Sequence, residues 1–312
     1  MPRSASLGVD IAQPILETRR LSMIFRGQRD FAALSDVSFA LRPGRALALV
    51  GESGSGKSTC ARLLTRMLTA SGGQILFRGR DVTSAKGRRD LLHYRSQVQM
   101  VFQDPFAALN PAHSIHHHLA RPLALHKKTL NRIARRDRME ELLHQVGLVP
   151  EETLHKYPHE LSGGQRQRVN LARALAVDPA VIIADEPTSM LDVSIRLSVL
   201  DTLAPLKRER GIAMLYITHD IATARYIAEE TAVIFAGRIV ELGPTATVID
   251  SPRHPYTKLL LAAVPEIGRP FGADRTGLIG QAERIRQLSR GPGALQEVAP
   301  GHFVREAEAI AA

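Results

Sequence analysis

The chain has 312 residues, of which 44% are hydrophobic and 23% charged, with a formal net charge of +10 and one cysteine. That composition supplies a substantial core for one large or two modest domains, and it argues against disordered, collagen-like and disulfide-stapled classes. No run of about 18 apolar residues occurs, so no membrane-spanning helix is expected.

The first residues, MPRSASLGVDIAQP, lack the apolar stretch of a secretory signal, and the chain is expected to stay in the cytoplasm. Residues 15–50 read as strands, with Leu16, Phe25, Phe31, Val37, Phe39 and Leu41 set among short polar breaks and a turn at Pro43-Gly44. The apolar run Arg45–Val50 leads into a glycine-rich loop, and Ser58–Leu68 has helical spacing. Residues 73–102 are mixed, with strand-like Gln74–Phe77 and Val98–Phe102. Residues 112–155 are polar with helical period, their apolar positions being Ile115, Leu119, Ile133, Met139, Leu142 and Leu143. Strands are expected again at Val181–Ala184, Ala213–Thr218 and Ala232–Phe235, with helices at 165–176, 194–209 and 221–229. Such alternation predicts a largely parallel sheet with crossover helices. After Pro252 the chain turns Pro-, Gly- and Arg-rich, and a separate small appendage is expected there.

The segment Gly51-Glu52-Ser53-Gly54-Ser55-Gly56-Lys57-Ser58 satisfies G-x-x-x-x-G-K-[ST] at every fixed position. Glycines let the backbone curl so that consecutive N–H groups face one anion, and the following helix aims its positive end at the same phosphates. Lys57 would reach the terminal phosphates of a nucleotide and the Ser58 hydroxyl would bind Mg²⁺. A glycine turn that fits by chance is the competing explanation, and the flanking strand and helix speak against it. A second signal is Val181-Ile182-Ile183-Ala184-Asp185-Glu186, an apolar strand ending in two carboxylates. Ligands of open α/β sheets bind at that end. Asp185 suits a hard Mg²⁺ ion, and Glu186 suits orienting or deprotonating water. Alone, such a strand end is commonly just an exposed turn. The third signal, Leu161-Ser162-Gly163-Gly164-Gln165, sits before a helix and offers a second anion site, although a bare helix start is common for so short a string.

With these three motifs the sequence resembles the nucleotide-binding subunits of ATP-binding-cassette transporters over about residues 15–265. The resemblance implies that Ser162, Gly163, Gly164 and Gln165 of one subunit meet the γ-phosphate held by a partner. Further positions match the family in order. Gln103, in Val101-Phe102-Gln103-Asp104-Pro105, is similar to a glutamine that senses Mg²⁺ and the attacking water. Asp192, in Ser189-Met190-Leu191-Asp192, falls in a segment that crosses the dimer seam, with Met190 where Ala is usual. His219 follows Tyr216-Ile217-Thr218 and matches a histidine on the γ-phosphate. Phe25 falls where an aromatic ring stacks on adenine, with Phe31 as a substitute. Singly, a Gln, His or Phe is most often structural. Six motifs in one order make coincidence implausible.

Tyr157-Pro158-His159-Glu160 before that third motif, and Ser251-Pro252-Arg253-His254-Pro255-Tyr256-Thr257 near the end, resemble the ATPase subunits of dipeptide/oligopeptide importers, a group that includes nickel importers. Many members hold an iron–sulfur cluster on tail cysteines. This tail keeps the Pro292-Gly293-Ala294-Leu295 and Pro300-Gly301-His302-Phe303-Val304 frame but has no cysteine, so no cluster is expected. The lone Cys60 reads as a small buried residue.

The resemblance implies an α/β fold: a P-loop NTPase (RecA-like) parallel-sheet core, an N-terminal antiparallel β subdomain, a helical subdomain and a small C-terminal extension. The expected division is a tail at 1–14, a nucleotide-binding domain at 15–251 with its helical part at about 104–175, and an extension at 252–312. ATP and Mg²⁺ are the implied ligands. ATP would contact Gly51, Glu52, Ser53, Gly54, Ser55, Gly56, Lys57, Ser58 and Thr59, and Mg²⁺ would take Ser58, Gln103 and Asp185. Glu186, His219, Gln103 and Lys57 would carry hydrolysis. The implied partners are a second cassette, identical or paralogous, two transmembrane permease subunits and, indirectly, a substrate-binding protein, at the cytoplasmic face of the (inner) membrane. The rival is a soluble cassette ATPase acting on nucleic acid or ribosomes, which the basic charge keeps open. Against it, Trp is absent and aromatic residues are only 4%, which disfavours a stacking platform. The cluster Arg132, Arg135, Arg136 and Arg138 reads as a solvated helix face. The run His116-His117-His118 cannot converge on one ion, because neighbours on a helix point in different directions.

Overall fold

The computed structural model describes residues 13–27, 30–84, 87–263, 282–285, 287 and 293–306. Its strands are β1 (Leu16–Phe25), β2 (Phe31–Leu41), β3 (Ala46–Val50), β4 (Gly72–Phe77), β5 (Arg80–Asp81), β6 (Val98–Val101), β7 (Val181–Asp185), β8 (Ala213–Thr218), β9 (Glu230–Phe235), β10 (Arg238–Pro244), β11 (Leu295–Ala299) and β12 (His302–Arg305). Its helices are α1 (Lys57–Leu64), α2 (Arg88–Gln97), α3 (Pro105–Ala108), α4 (Ile115–His126), α5 (Arg132–Gln145), α6 (Pro150–Thr153), α7 (Gly163–Leu175), α8 (Val193–Arg210), α9 (Ile221–Ile227), α10 (Thr245–Asp250) and α11 (Pro255–Ala262).

The larger sheet runs β11-β12-β10-β9-β3-β8-β7-β6. Strands β9, β3, β8, β7 and β6 are parallel, and β10, β12 and β11 continue the sheet antiparallel. The smaller sheet, β2-β1-β4-β5, is antiparallel throughout.

The parallel strands are buried on both faces, so they read as unbroken apolar runs. Alternation decides which side chain serves which core. On β3, Ala46, Ala48 and Val50 join the core beneath the helical region, while Leu47 and Leu49 face the antiparallel sheet and α1. Strand β7 divides the same way, with Ile182 and Ala184 on the first side and Val181 and Ile183 on the second. The helical region adds Leu119 and Leu123 of α4, Met139 and Leu142 of α5, and Val169 and Leu175 of α7 to the first core.

Two arginines of the basic run on α5 are paired. Arg138 pairs with Glu141 at 2.6 Å and Asp178 at 2.5 Å, and Arg136 with Glu140 at 2.9 Å. On α4, His118 is buried with Nε2 3.1 Å from the Asn110 carbonyl, while the His113 and His117 rings stack at 4.0 Å. Cys60 is fully buried, which pushes its thiol up to about 12.

The segment after Pro252 is tied to the main sheet. Strand β12 pairs with β10, extending the main sheet, and Tyr256 of α11 packs on Phe235 of β9 with ring centroids 4.3 Å apart. Glu241, fully buried on β10, binds this region. Its carboxylate accepts the N–H groups of Arg253 and His254 at 2.9 and 3.0 Å, and His302 Nε2 lies 2.8 Å away. Buried charge persists only when partnered in this way. His254 caps α11, its Nδ1 accepting the Tyr256 N–H at 3.1 Å.

Burial pulls His254 from the usual 6.5 down to about 4. The unfolded chain therefore takes up this proton first as pH falls. Stability is fully present above pH 6.5 and is lost between 6.5 and about 4, by up to about 3 kcal/mol. His254→Asn keeps an acceptor at the cap and removes the titration. Thermal unfolding across that window should show a flatter pH dependence for the variant. Parallel curves would contradict the burial account.

Candidate functional site

Strands β3, β8, β7 and β6 are adjacent and parallel, so the segments that follow them meet at one edge of the sheet. The loop Gly51–Gly56 follows β3 and opens α1 at Lys57. Gly51 has no room for a side chain, because a Cβ would lie 2.2 Å from the Ile234 carbonyl oxygen of β9. Gly56, at φ +107°, is pressed against the Ala33 carbonyl oxygen of β2, 2.6 Å from where a Cβ would sit. Turn residue Gly237 donates its N–H to the Ser55 carbonyl at 2.9 Å. The loop is thus moulded by both sheets. Outside the motif, the Glu52 N–H donates to the Tyr256 hydroxyl at 3.2 Å.

Lys57 is 5% exposed, and its ammonium donates to the Gly51 and Glu52 carbonyls at 2.7 and 2.8 Å. Burial lowers its pKa, while Glu186, Asp185 and Glu52 act in the opposite sense. The Ser58 hydroxyl lies 3.4 Å from Asp185 Oδ1. Asp185, also 5% exposed, has its pKa raised by burial. A desolvated carboxylate beside a hydroxyl is a hard-oxygen pair that a small divalent cation would stabilise, so these donors fit Mg²⁺.

Glu186 follows β7 in the left-handed region at φ +45°, with its N–H donating to the Ile217 carbonyl of β8 at 2.9 Å. Such a backbone is strained for a non-glycine residue and persists only where its surroundings impose it. Gln103 Nε2 donates to Glu186 Oε2 at 2.9 Å, and His219 Nδ1 lies 3.4 Å from Oε1. The structure therefore brings Lys57, Ser58, Gln103, Asp185, Glu186 and His219 to one edge.

Ser162, Gly163, Gly164 and Gln165 are engaged elsewhere. Ser162 is exposed and caps α7, its hydroxyl accepting the Gln165 N–H at 3.3 Å while Gln165 Oε1 accepts the Ser162 N–H at 3.0 Å. A Cβ on Gly164 would lie 2.6 Å from Ile195 Cγ2, so this turn seats on α8. Asp192 is exposed at the start of α8. Phe25 and Phe31 face one another across β1 and β2, 40% and 60% exposed. The Tyr256 contact and the Glu186 backbone lay outside the sequence reading, and neither leaves a local signal.

A parallel sheet carrying such a loop at its carboxyl edge is the architecture of a P-loop ATPase. Comparison with known proteins narrows the class. Residues 34–189 match the ABC transporter family, and residues 240–293 match the oligopeptide/dipeptide transporter C-terminal region. The chain is 42% identical over 301 residues to the oligopeptide transport ATP-binding protein OppF of Bacillus subtilis, covering 96% of this chain and 98% of that one. It is 42% identical over 307 residues to the glutathione import ATP-binding protein GsiA of Escherichia coli K12, covering 94% of this chain but 49% of GsiA. The dimeric post-hydrolysis structure of the cassette MJ0796 bound to ADP and Pi superposes with a TM-score of 0.67 at 27% identity, over 74% of this chain and 98% of that one. The chain belongs to the ATP-binding-cassette transporter family, as an ATP-binding subunit with the ATPase activity of that family.

The crowding at Gly51 generates a prediction. Gly51→Ala should lower the stability of the nucleotide-free chain by roughly 3 kcal/mol, because backbone must shift. Gly54→Ala, at φ +79° with nothing within 4 Å of its Cβ, should cost only about 1 kcal/mol. Denaturant unfolding of the two variants gives the comparison, and equal losses would contradict it.

Proposed function

We propose that the chain is the ATP-hydrolysing motor of an importer for peptides or another small solute such as nickel. The observation that carries this reading is the Gln103–Glu186–His219 cluster set beside the lysine-tipped loop. ATP lies with its phosphates on Gly51–Thr59 and its adenine on Phe25. Lys57 then leaves the Gly51 and Glu52 carbonyls for the β- and γ-phosphates, a stronger charge-assisted partner. Glu186, held from both sides by Gln103 and His219, takes a proton from the attacking water. His219 and Lys57 face the charge that develops on the transferring phosphoryl group. Ser58, Asp185 and Gln103 would hold Mg²⁺, which would neutralise developing negative charge.

A second cassette, identical or paralogous, completes the site. Ser162, Gly163, Gly164 and Gln165 present a capped helix start, and the Ser162 hydroxyl, which accepts one bond within its own chain, keeps its proton to donate to a partner's nucleotide. Asp192 lies along the same seam. The proposed division is residues 1–14, 15–251 with a helical part at about 104–175, and 252–312.

Two separate permease subunits dock on the helical part. No helix among the described residues is long and apolar enough to cross a membrane. A cavity of about 930 Å³ opens between this part and the core, lined by Arg95, Phe102, His117, Arg121, His126 and Arg173 among others and by no carboxylate, which suits an acidic permease segment. The chain then works peripherally at the cytoplasmic face of the (inner) membrane, and a substrate-binding protein chooses the cargo. The similarity to OppF and GsiA supports import and does not favour action on nucleic acid or ribosomes.

Glu186→Gln should reduce steady-state phosphate release by at least about 100-fold while ATP affinity is retained. Release near the native rate would remove Glu186 from its assigned role. Lys57→Ala should weaken equilibrium ATP binding by at least about tenfold, measured with a fluorescent ATP analogue. Unchanged binding would count against the loop assignment.

A further inference from the structure

We propose that Tyr256 is a positioning residue for the phosphate loop, held in register by a buried Glu241 clamp that the C-terminal strand closes. The inference rests on the reading of Gly51–Ser58 as the ATP site.

The peptide unit joining Gly51 to Glu52 is gripped at both ends. Its carbonyl accepts from the Lys57 ammonium at 2.7 Å, and its N–H donates to the Tyr256 hydroxyl at 3.2 Å. On the flank, the Ile234 carbonyl leaves no space for even a methyl group on Gly51. When Lys57 turns to phosphate, the carbonyl end is released. The Tyr256 hydroxyl is then the side-chain grip that keeps this plane from rotating, so the N–H groups that follow stay aimed at one anion.

Tyr256 is itself placed from a distance. It is fully buried, with its ring against Phe235. Its N–H is taken by His254, whose own N–H is taken by Glu241. His302, 2% exposed on β12, meets Oε1 of that carboxylate at 2.8 Å, the oxygen that also accepts the Arg253 N–H, while the His254 N–H goes to Oε2. A path of buried polar contacts therefore runs from the C-terminal strand through Glu241, His254 and Tyr256 to the phosphate loop. A hydroxyl needed only for packing would have no reason to meet the loop's N–H. Polar groups retained in a core are those with a partner to satisfy.

The test uses the full chain. Tyr256→Phe keeps the ring and removes the oxygen. Affinity for a fluorescent ATP analogue should fall about three- to tenfold, KM for ATP should rise in step, and kcat should hold. His302→Ala should weaken ATP binding in the same direction, and His302→Gln, which can still donate to Glu241, should restore it. Native ATP affinity in Tyr256→Phe, or a fall confined to kcat, overturns the inference. So does equal weakening by His302→Ala and His302→Gln. Lys57→Ala separates the two readings. If it weakens ATP binding and Tyr256→Phe does not, only the positioning role fails; if neither does, the loop itself is misassigned.

Discussion

A buried ammonium at the carboxyl edge of a parallel sheet governs this molecule. Lys57 is drawn out of water, and its charge is sustained by two loop carbonyls and the nearby Glu186 and Asp185. Burial disfavours both the lysine cation and the Asp185 anion, so each is stabilised by incoming charge of the opposite sign. A Mg-nucleotide brings both signs at once. Lys57 is folded onto its own loop, where the Gly51 and Glu52 carbonyls hold its ammonium.

Everything around that lysine serves its placement. The strands beneath it are buried on both faces, so their register cannot slip without moving apolar side chains between two cores. Because β3, β8, β7 and β6 run in parallel, their ends deliver Lys57, His219, Glu186 and Gln103 to one edge, although these residues lie far apart in the chain. The left-handed turn at Glu186 is imposed by its bond to the Ile217 carbonyl and points the carboxylate between Gln103 and His219. The strain thus falls on the residue proposed to act on water.

Much of this was legible in the sequence. The loop before α1 and the strands β7 and β8 announce themselves through glycine spacing and short apolar runs. Helix α2 did not, because it buries only Tyr94 and Ser96, and its adjacent Leu91 and Leu92 stand among arginines and other polar residues without a helical repeat. Strand β10 was hidden by Glu241, whose charge breaks the alternation and makes sense only once Arg253, His254 and His302 are folded around it. The compositional shift after Pro252 marks a small extension but carries no sign of the backbone pairing with β10 that joins it to the sheet. The Tyr256 contact spans 204 positions of chain, and no local pattern encodes a bond of that range.

The proposed function turns on a site shared between two molecules: loop and carboxylates from one, the Ser162 helix start from the other. The decisive measurement is an ATP-loaded structure of the Glu186→Gln chain with its cassette partner. The account predicts one γ-phosphate within hydrogen-bond reach of Lys57 on one side and of the partner subunit's matching serine on the other. A nucleotide enclosed by one chain alone, with Ser162 remote from every phosphate, would contradict it.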